Sequence, residues 1–199
     1  MIGLMALVVA YLIGGIPFGY VLVRLTTGKD VRAAGSGNIG ATNVLRTTGR
    51  AAGVATLLLD VAKGYFAVWL ASFWTHGDPL WMSLAALAVM AGHAFPVFLR
   101  FQGGKAVASF IGAFLYLTPL PLAAVLLLFV ATVAVTKAIS AGSIMAAGTF
   151  PLGVFMIQHP PMPVFVASLI AGGFIVYRHK ANIQRLRAGT ENRFQWKKR

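Results

Sequence analysis

The sequence predicts an all-α integral membrane protein of seven transmembrane helices. Two features of the composition carry this reading: 58% of the 199 residues are hydrophobic with a mean hydropathy of +0.80, and only 11% are charged, against roughly 25% in a soluble domain. A third is the distribution, because the few charges are clumped between long apolar runs.

The apolar runs fall at about Met1 to Leu25, Gly53 to Trp74, Leu80 to Leu99, Ala106 to Leu117, Leu120 to Thr136, Ser143 to Ile157 and Met162 to Tyr177. The fourth and sixth are short, since ~15 helical residues reach only ~22 Å against a hydrocarbon core of ~30 Å. Helix breakers divide the runs: Pro79, the pair Pro119 and Pro121, and the group Pro160, Pro161 and Pro163 fall in three tight turns. The expected organisation is one polytopic membrane domain over residues 1–199, with loops at about 26–52, 100–105, 137–142 and 178–199 on one side.

Positive charge orients these spans. Every Lys and Arg except Lys63 falls in those four loops or, for Arg24, at the end of the first apolar run beside them, whereas the loops His76–Pro79, Thr118–Pro121 and Gln158–Pro163 contain none. The N-terminus is therefore expected outside and the C-terminus in the cytoplasm. No basic residue precedes the first apolar run, which argues against a cleaved signal peptide. The net charge of +13 points to anionic lipid head groups and anionic substrates, because the basic residues flank hydrophobic spans and form no soluble nucleic-acid-binding face. With no Cys, disulfides and Cys-based metal sites are excluded.

Three polar islands interrupt the apolar background on the predicted cytoplasmic side. In the first, Gly35-Ser36-Gly37-Asn38-Ile39-Gly40-Ala41-Thr42-Asn43 precedes Arg46. Glycines of this kind let backbone N–H groups converge on a phosphate, to which Arg46 would add a bidentate contact; an ordinary Gly-rich loop is the alternative. The Walker pattern is missing, which speaks against nucleotide binding.

The second island, Phe101-Gln102-Gly103-Gly104-Lys105, runs into the short fourth helix. It would set N–H groups and a positive dipole end beside the Lys105 ammonium. His93 stands upstream, with Pro96 expected to kink the helix between them; a lone His there serves as a hydrogen-bonded core residue or as a catalyst. The third island, Tyr177 to Leu186, would bring His179 and Asn182 onto one helical face, while Arg185, Arg187 and Lys197–Arg199 read as a solvated basic anchor.

Asp60 and Lys63 lie three apart inside the second span. Charges in lipid are costly, so they are expected to pair or to face the bundle interior, supporting the site or touching substrate. Ser143 is a helix N-cap or a further hydroxyl for phosphate. Four acidic residues offer little for an Mg²⁺ or Zn²⁺ site or for paired-carboxylate chemistry. No His is followed by Asp at the spacing of the common glycerolipid acyltransferases.

At these residues the chain resembles the bacterial membrane glycerol-3-phosphate acyltransferases that take their acyl group from acyl phosphate. Gly35 to Arg46 matches the first motif, Gly92-His93 with Pro96 and Gly103-Gly104-Lys105 the second, and Arg178-His179 with Asn182-Ile183 and Gly189-Thr190-Glu191 the third. Lys180-Ala181 departs from the pattern, in which an acidic residue is common before the Asn. The resemblance implies seven membrane helices and a cytoplasmic active site at the bacterial inner membrane. It also implies acyl transfer to the 1-hydroxyl of sn-glycerol 3-phosphate, giving lysophosphatidic acid and phosphate, the first acylation of phospholipid synthesis.

Two phosphate-bearing substrates need two anion sites, and a mixed anhydride needs neither a protein nucleophile nor a cofactor or metal. The loop from Gly35 to Thr42, with Gly37 and Asn38, is expected to hold the acyl-phosphate group together with Gly103, Gly104 and Lys105. Arg46, Ser143, His179 and Asn182 are expected to hold glycerol 3-phosphate, with Ser36 near the junction and Asn43 and His93 completing the set. Lys105, His179, Ser36 and Arg46 would take the catalytic roles, the general base being His179 or a substrate phosphate oxygen. The expected partners are acyl phosphate, glycerol 3-phosphate and membrane lipids, with no nucleic acid; the protein is expected to be a monomer, associated with the soluble enzyme that makes the acyl phosphate. An anion transporter would place its glycine breaks near the midplane in paired halves, and a non-catalytic lipid-binding subunit would not need the glycine motifs.

Overall fold

The computed structural model describes residues 1–193, so the predicted anchor Lys197–Arg199 lies outside the described residues. Among these, every regular element is helical. They gather into two compact units, residues 1–117 and the chain from Thr118 onward.

The first unit begins with α1 (Ile2–Gly15) and α2 (Phe18–Thr27). What reads as one apolar run is broken at Pro17, which has no N–H to donate and pushes Ile16 to an extended ψ of 114°. Gly28, at φ 70°, ends α2 in the left-handed conformation that glycine adopts without strain. After a 3₁₀ turn at Val31–Ala33 come α3 (Ala41–Thr47) and α4 (Arg50–Trp74). The 25 residues of α4 give ~37 Å, enough to cross a bilayer. Asp78 caps α5 (Pro79–Ala94) by accepting from the Leu80 N–H at 2.8 Å, with Pro79 at its first position. Pro96 ends this helix outright, so the expected kink is a stop, followed by a 3₁₀ turn at Val97–Leu99. The last helix of the unit, α6 (Val107–Leu117), has 11 residues and spans only ~16 Å.

The second unit comprises α7 (Pro119–Thr136), α8 (Ile139–Ile157), α9 (Met162–Arg178) and α10 (Lys180–Arg187). Here the sequence reading is corrected at α8: it starts four residues before Ser143 and is a full-length helix of 19 residues. At His179 the chain bends by 56° between α9 and α10.

Each of the seven apolar runs coincides with helix. Among the described residues, five segments are long and apolar enough to cross a membrane, six if the bent pair of α9 and α10 counts as one span, while α6 is shorter. The protein is a multi-pass membrane protein. Without a hydrophobic drive between helices in lipid, packing relies on small residues that let backbones approach. Within the α1–α5 pair, a Cβ on Gly14 would overlap the Val89 carbonyl, and one on Gly92 would overlap that of Tyr11. The α4–α6 pair repeats the device, with Gly64 against Ser109 and Gly112 against Val61. Large apolar side chains such as Leu58, Phe66, Leu127 and Ile170 are left exposed, as a lipid-facing surface requires.

Candidate active site

The predicted site residues fall into two groups, one in each unit. In the first unit, the loop between α2 and α3 is organised around one buried side chain. The Asn43 amide Nδ2 donates to the carbonyls of Val31 (3.1 Å), Ala34 (3.1 Å) and Asn38 (2.8 Å), and its Oδ1 accepts the Ser36 N–H at 2.8 Å. Asn43 is 2% exposed, so its polar capacity serves the loop itself. Gly35 and Gly37 turn the chain at φ 61° and 69°, where glycine avoids the steric cost other residues meet.

A row of N–H groups converging on a ligand is not what this loop presents at three positions. The Ser36 N–H goes to Asn43, that of Gly37 to the Ala34 carbonyl (3.1 Å), and that of Gly40 to Asn38 Oδ1 (2.8 Å). What the loop displays instead are side chains. Ser36 is exposed, Thr42 sits half-buried in the first turn of α3, and Arg46 stands in its last turn with no hydrogen bond or ion pair to any described residue.

The second island rests on His93. The Gly104 N–H donates to the His93 carbonyl at 3.0 Å, and a Cβ on Gly104 would overlap the His93 imidazole at Nε2. One on Gly103 would overlap the His93 carbonyl and the Pro96 ring. The glycine pair is thus required by close approach, and the Gly104 N–H expected for an anion is used inside the protein. Arg100, Phe101 and Ala106 take φ of 51°, 63° and 61° around it. Three non-glycine residues in the left-handed region within seven positions mark a strained segment of the kind found at ligand clamps. Lys105 lies inside it, half-buried, two residues before α6 begins.

Beneath this loop, the expected ion pair is present. Lys63 Nζ lies 2.7 Å from Asp60 Oδ1, both side chains being 3% exposed. Nζ also donates to the Ile16 carbonyl at 2.8 Å and lies over the Phe18 ring. His93 Nδ1 stands 3.7 Å from the same Asp60 oxygen.

In the second unit, Glu191 organises a cluster. Its Oε1 accepts from Ser140 Oγ (2.9 Å) and Asn182 Nδ2 (2.8 Å), and its Oε2 from Arg185 Nε (2.7 Å). Burial raises the Glu191 pKa, but the hydrogen bonds from Asn182, Arg185 and Ser140 outweigh it and hold the carboxyl below its ordinary value. His179, 2% exposed, occupies the bend between α9 and α10, with Nδ1 2.8 Å from the Ile175 carbonyl. A carbonyl only accepts, so Nδ1 carries the proton and the lone pair of the neutral ring lies on Nε2. Ser143 is no N-cap: Ala138 holds that position, and Ser143 Oγ donates back to the Ile139 carbonyl at 3.0 Å.

Comparison with known proteins decides the family. A family model described as glycerol-3-phosphate acyltransferase matches residues 4–189. The chain belongs to the glycerol-3-phosphate acyltransferase family. Among its relatives, the glycerol-3-phosphate acyltransferase of Geobacter sulfurreducens is 48% identical over 187 residues, covering 94% of this chain and 95% of the relative. That of Desulforamulus reducens is 43% identical over 194 residues, covering 98% and 96%. The crystal structure of PlsY (YgiH), an integral membrane glycerol 3-phosphate acyltransferase, in its glycerol 3-phosphate form, is similar to this acyltransferase-family chain with a TM-score of 0.91 and 36% identity over 97% of this chain and 96% of the other.

Two features of this acyltransferase-family chain escape sequence reasoning. Glu191 appears in the sequence only as the end of a motif, although a lone carboxylate in a basic tail of an acid-poor chain is a signal in itself. The support of Gly103 and Gly104 by His93 has no sequence signal beyond the glycine pair. Among the described residues, no group of three or more His, Asp and Glu side chains is gathered where it could hold a metal ion.

Proposed function

We propose that the protein transfers a fatty acyl group from acyl phosphate to the 1-hydroxyl of sn-glycerol 3-phosphate, releasing lysophosphatidic acid and inorganic phosphate. The observation that carries the reading is the pair of basic, strained or buried polar clusters that coincide with the three motifs of an acyltransferase family. One solved relative is described as a glycerol 3-phosphate form and another as a lysophosphatidic acid form. Such a reaction would be the first acylation of phospholipid synthesis.

In this scheme Lys105 and Arg46 neutralise phosphate charge, Lys105 as a point charge and Arg46 through a planar guanidinium whose geometry suits bidentate contact. Ser36 and Thr42 offer hydroxyls from the loop that Asn43, Gly35, Gly37 and Asn38 shape. The tautomer held by Ile175 makes His179 Nε2 an acceptor suited to the substrate hydroxyl proton. Glu191 fixes the Asn182 amide through its Nδ2 at 2.8 Å, and Ser143 adds a further polar oxygen. His93, Gly103 and Gly104 act by supporting Lys105.

The reading extends to topology: seven crossings, an outer N-terminus, a cytoplasmic C-terminus and site loops facing the cytoplasm at the bacterial inner membrane. The segregation of Lys and Arg into four loops supports it. It describes one polytopic catalytic domain, acting as a monomer that receives its donor from a soluble acyl-phosphate-producing enzyme.

The test uses purified protein in detergent without added metal, supplied with palmitoyl phosphate and glycerol 3-phosphate. Phosphate and lysophosphatidic acid are expected in equal amounts, and Lys105→Ala is expected to abolish both. His179→Gln should lower turnover by about 10²–10⁴-fold, the usual worth of positioned acid-base catalysis; a much smaller loss transfers the base role to a substrate phosphate. Turnover with acyl-CoA or acyl carrier protein in place of acyl phosphate would overturn the donor.

A further inference from the structure

We propose that the buried Asp60–Lys63–His93 cluster is a positioning device that fixes the Gly103–Lys105 loop and the start of the Gly35–Arg46 loop segment relative to each other. The inference rests on the reading of these loops as phosphate-binding elements.

Two ionised groups within a membrane span are expensive, and a hydrophobic pair of similar volume would stabilise a bundle at least as well. Nothing in holding α4 in lipid requires them. Yet the three side chains converge from α4 and α5, each nearly inaccessible, at 3%, 3% and 4% exposure. Their outer contacts lead to two places that bear on the loops.

Lys63 leads to the first loop. Its ammonium lies 2.7 Å from Asp60 and donates to the Ile16 carbonyl, which also accepts the Phe18 N–H at 3.2 Å where the chain passes Pro17 from α1 to α2. It also lies 5.6 Å from the centre of the Phe18 ring, which opens α2. The angle at which α2 leaves this break sets where the chain reaches Gly28 and the loop beyond. The same helix touches the loop again, because a Cβ on Gly19 would overlap the Ile39 carbonyl.

His93 leads to the second. Its Nδ1 faces Asp60 at 3.7 Å, its carbonyl accepts the Gly104 N–H at 3.0 Å, and its Nε2 edge abuts Gly104. Tyr11 of α1 donates to the Phe95 carbonyl at 2.6 Å, holding the chain where it leaves α5 for Pro96. One buried carboxylate oxygen thus stands between the supports of both loops, 2.7 Å from Lys63 Nζ and 3.7 Å from His93 Nδ1. The three residues are positioning residues, since each acts on the loops through backbone it holds.

The experiment measures kcat and KM for palmitoyl phosphate and glycerol 3-phosphate with wild type, Asp60→Asn, His93→Gln, Lys63→Arg and Val68→Ala, alongside Tm in detergent. Val68 is fully buried in the same helix, away from the charges, and reports the effect of lost stability alone. Misplaced binding groups cost on the order of 10²-fold per ångström. Asp60→Asn and His93→Gln are therefore expected to raise KM by about tenfold or more while kcat stays within about threefold, the mark of lost uniform binding. Lys63→Arg, which keeps the charge and its donors, should stay near the wild-type KM, and Val68→Ala should lower Tm without moving KM. Unchanged KM in both Asp60→Asn and His93→Gln, or a KM shift in Val68→Ala matching theirs, would overturn the proposal. If Asp60→Asn does not accumulate, His93→Gln decides alone by the same criterion. A wild type that turns over neither substrate refutes the acyltransferase reading and not this one, in which case the Tm-independent loss of glycerol 3-phosphate binding in Asp60→Asn by calorimetry is the remaining criterion.

Discussion

The two polar clusters solve the same problem by opposite means. In the first unit, Asp60 and Lys63 sit inside a membrane helix, with both charges desolvated and their partners drawn from other helices. In the second, Glu191 lies beyond the last helix and gathers two neutral donors and one guanidinium, that of Arg185, whose side chain is 38% exposed. A deep ion pair is intolerant, because removing either partner strands a charge where water cannot reach it. The Glu191 carboxylate is itself 7% exposed, but its charged partner Arg185 can fall back on water, so loss there is graded. Rigidity in the first unit is thus built into α4 and α5, whereas in the second it depends on a short segment after α10.

The sharpest way to break this contrast is Lys63→Ala. It leaves Asp60 as an uncompensated buried charge and is expected to cost about 3–5 kcal/mol, read as lost Tm or lost accumulation in the membrane. Glu191→Ala should cost less, about 2–3 kcal/mol, because it strands two buried neutral donors, Ser140 and Asn182, and a guanidinium that reaches water, and no buried charge. A larger loss than for Lys63→Ala would erase the distinction between the clusters.

The pH dependence sharpens it further. The folded protein holds the Glu191 carboxyl below its ordinary value, so it binds the charged form more tightly than the unfolded chain does. The corresponding stability is complete above the ordinary glutamate pKa and is lost as pH falls through the lowered value. Thermal unfolding followed downward from neutral pH should show this acid-side loss in the wild type, and Glu191→Gln should flatten it. The smallest effect is expected for Arg185→Ala, about 1 kcal/mol, because the Arg185 side chain is 38% exposed and screened by water and salt, and Glu191 keeps its donors Ser140 and Asn182.

Legibility in the sequence follows the range of the interaction that fixes each feature. The Asp60–Lys63 pair could be read because both members lie on one helix three residues apart, and backbone geometry brings them together. The break at Pro96 is local too, although only the fold shows that it ends its helix without merely bending it, and the break at Pro17 went unread inside a continuous apolar run. Ser143 misled for a physical reason. The run Ser140-Ala141-Gly142-Ser143 has the composition of a loop, yet it is helical because Gly142 lets α8 close onto α7, where a Cβ would overlap Phe129. Packing overrides propensity there. Asn43 was legible as a polar island residue, but not as the hub that draws four backbone groups from the stretch Val31 to Asn38.

The sequence by itself determined the solvent, the helical class, the positions of the apolar runs and the family, because each depends on composition, period or motifs read along the chain. Tertiary structure alone decided which N–H groups the glycine loops keep for themselves, that Gly103 and Gly104 rest on His93, and that Glu191 holds Ser140 across 51 residues. Those contacts join residues far apart in the chain, and hydrogen bonds and steric overlap depend on ångström distances that no local pattern encodes.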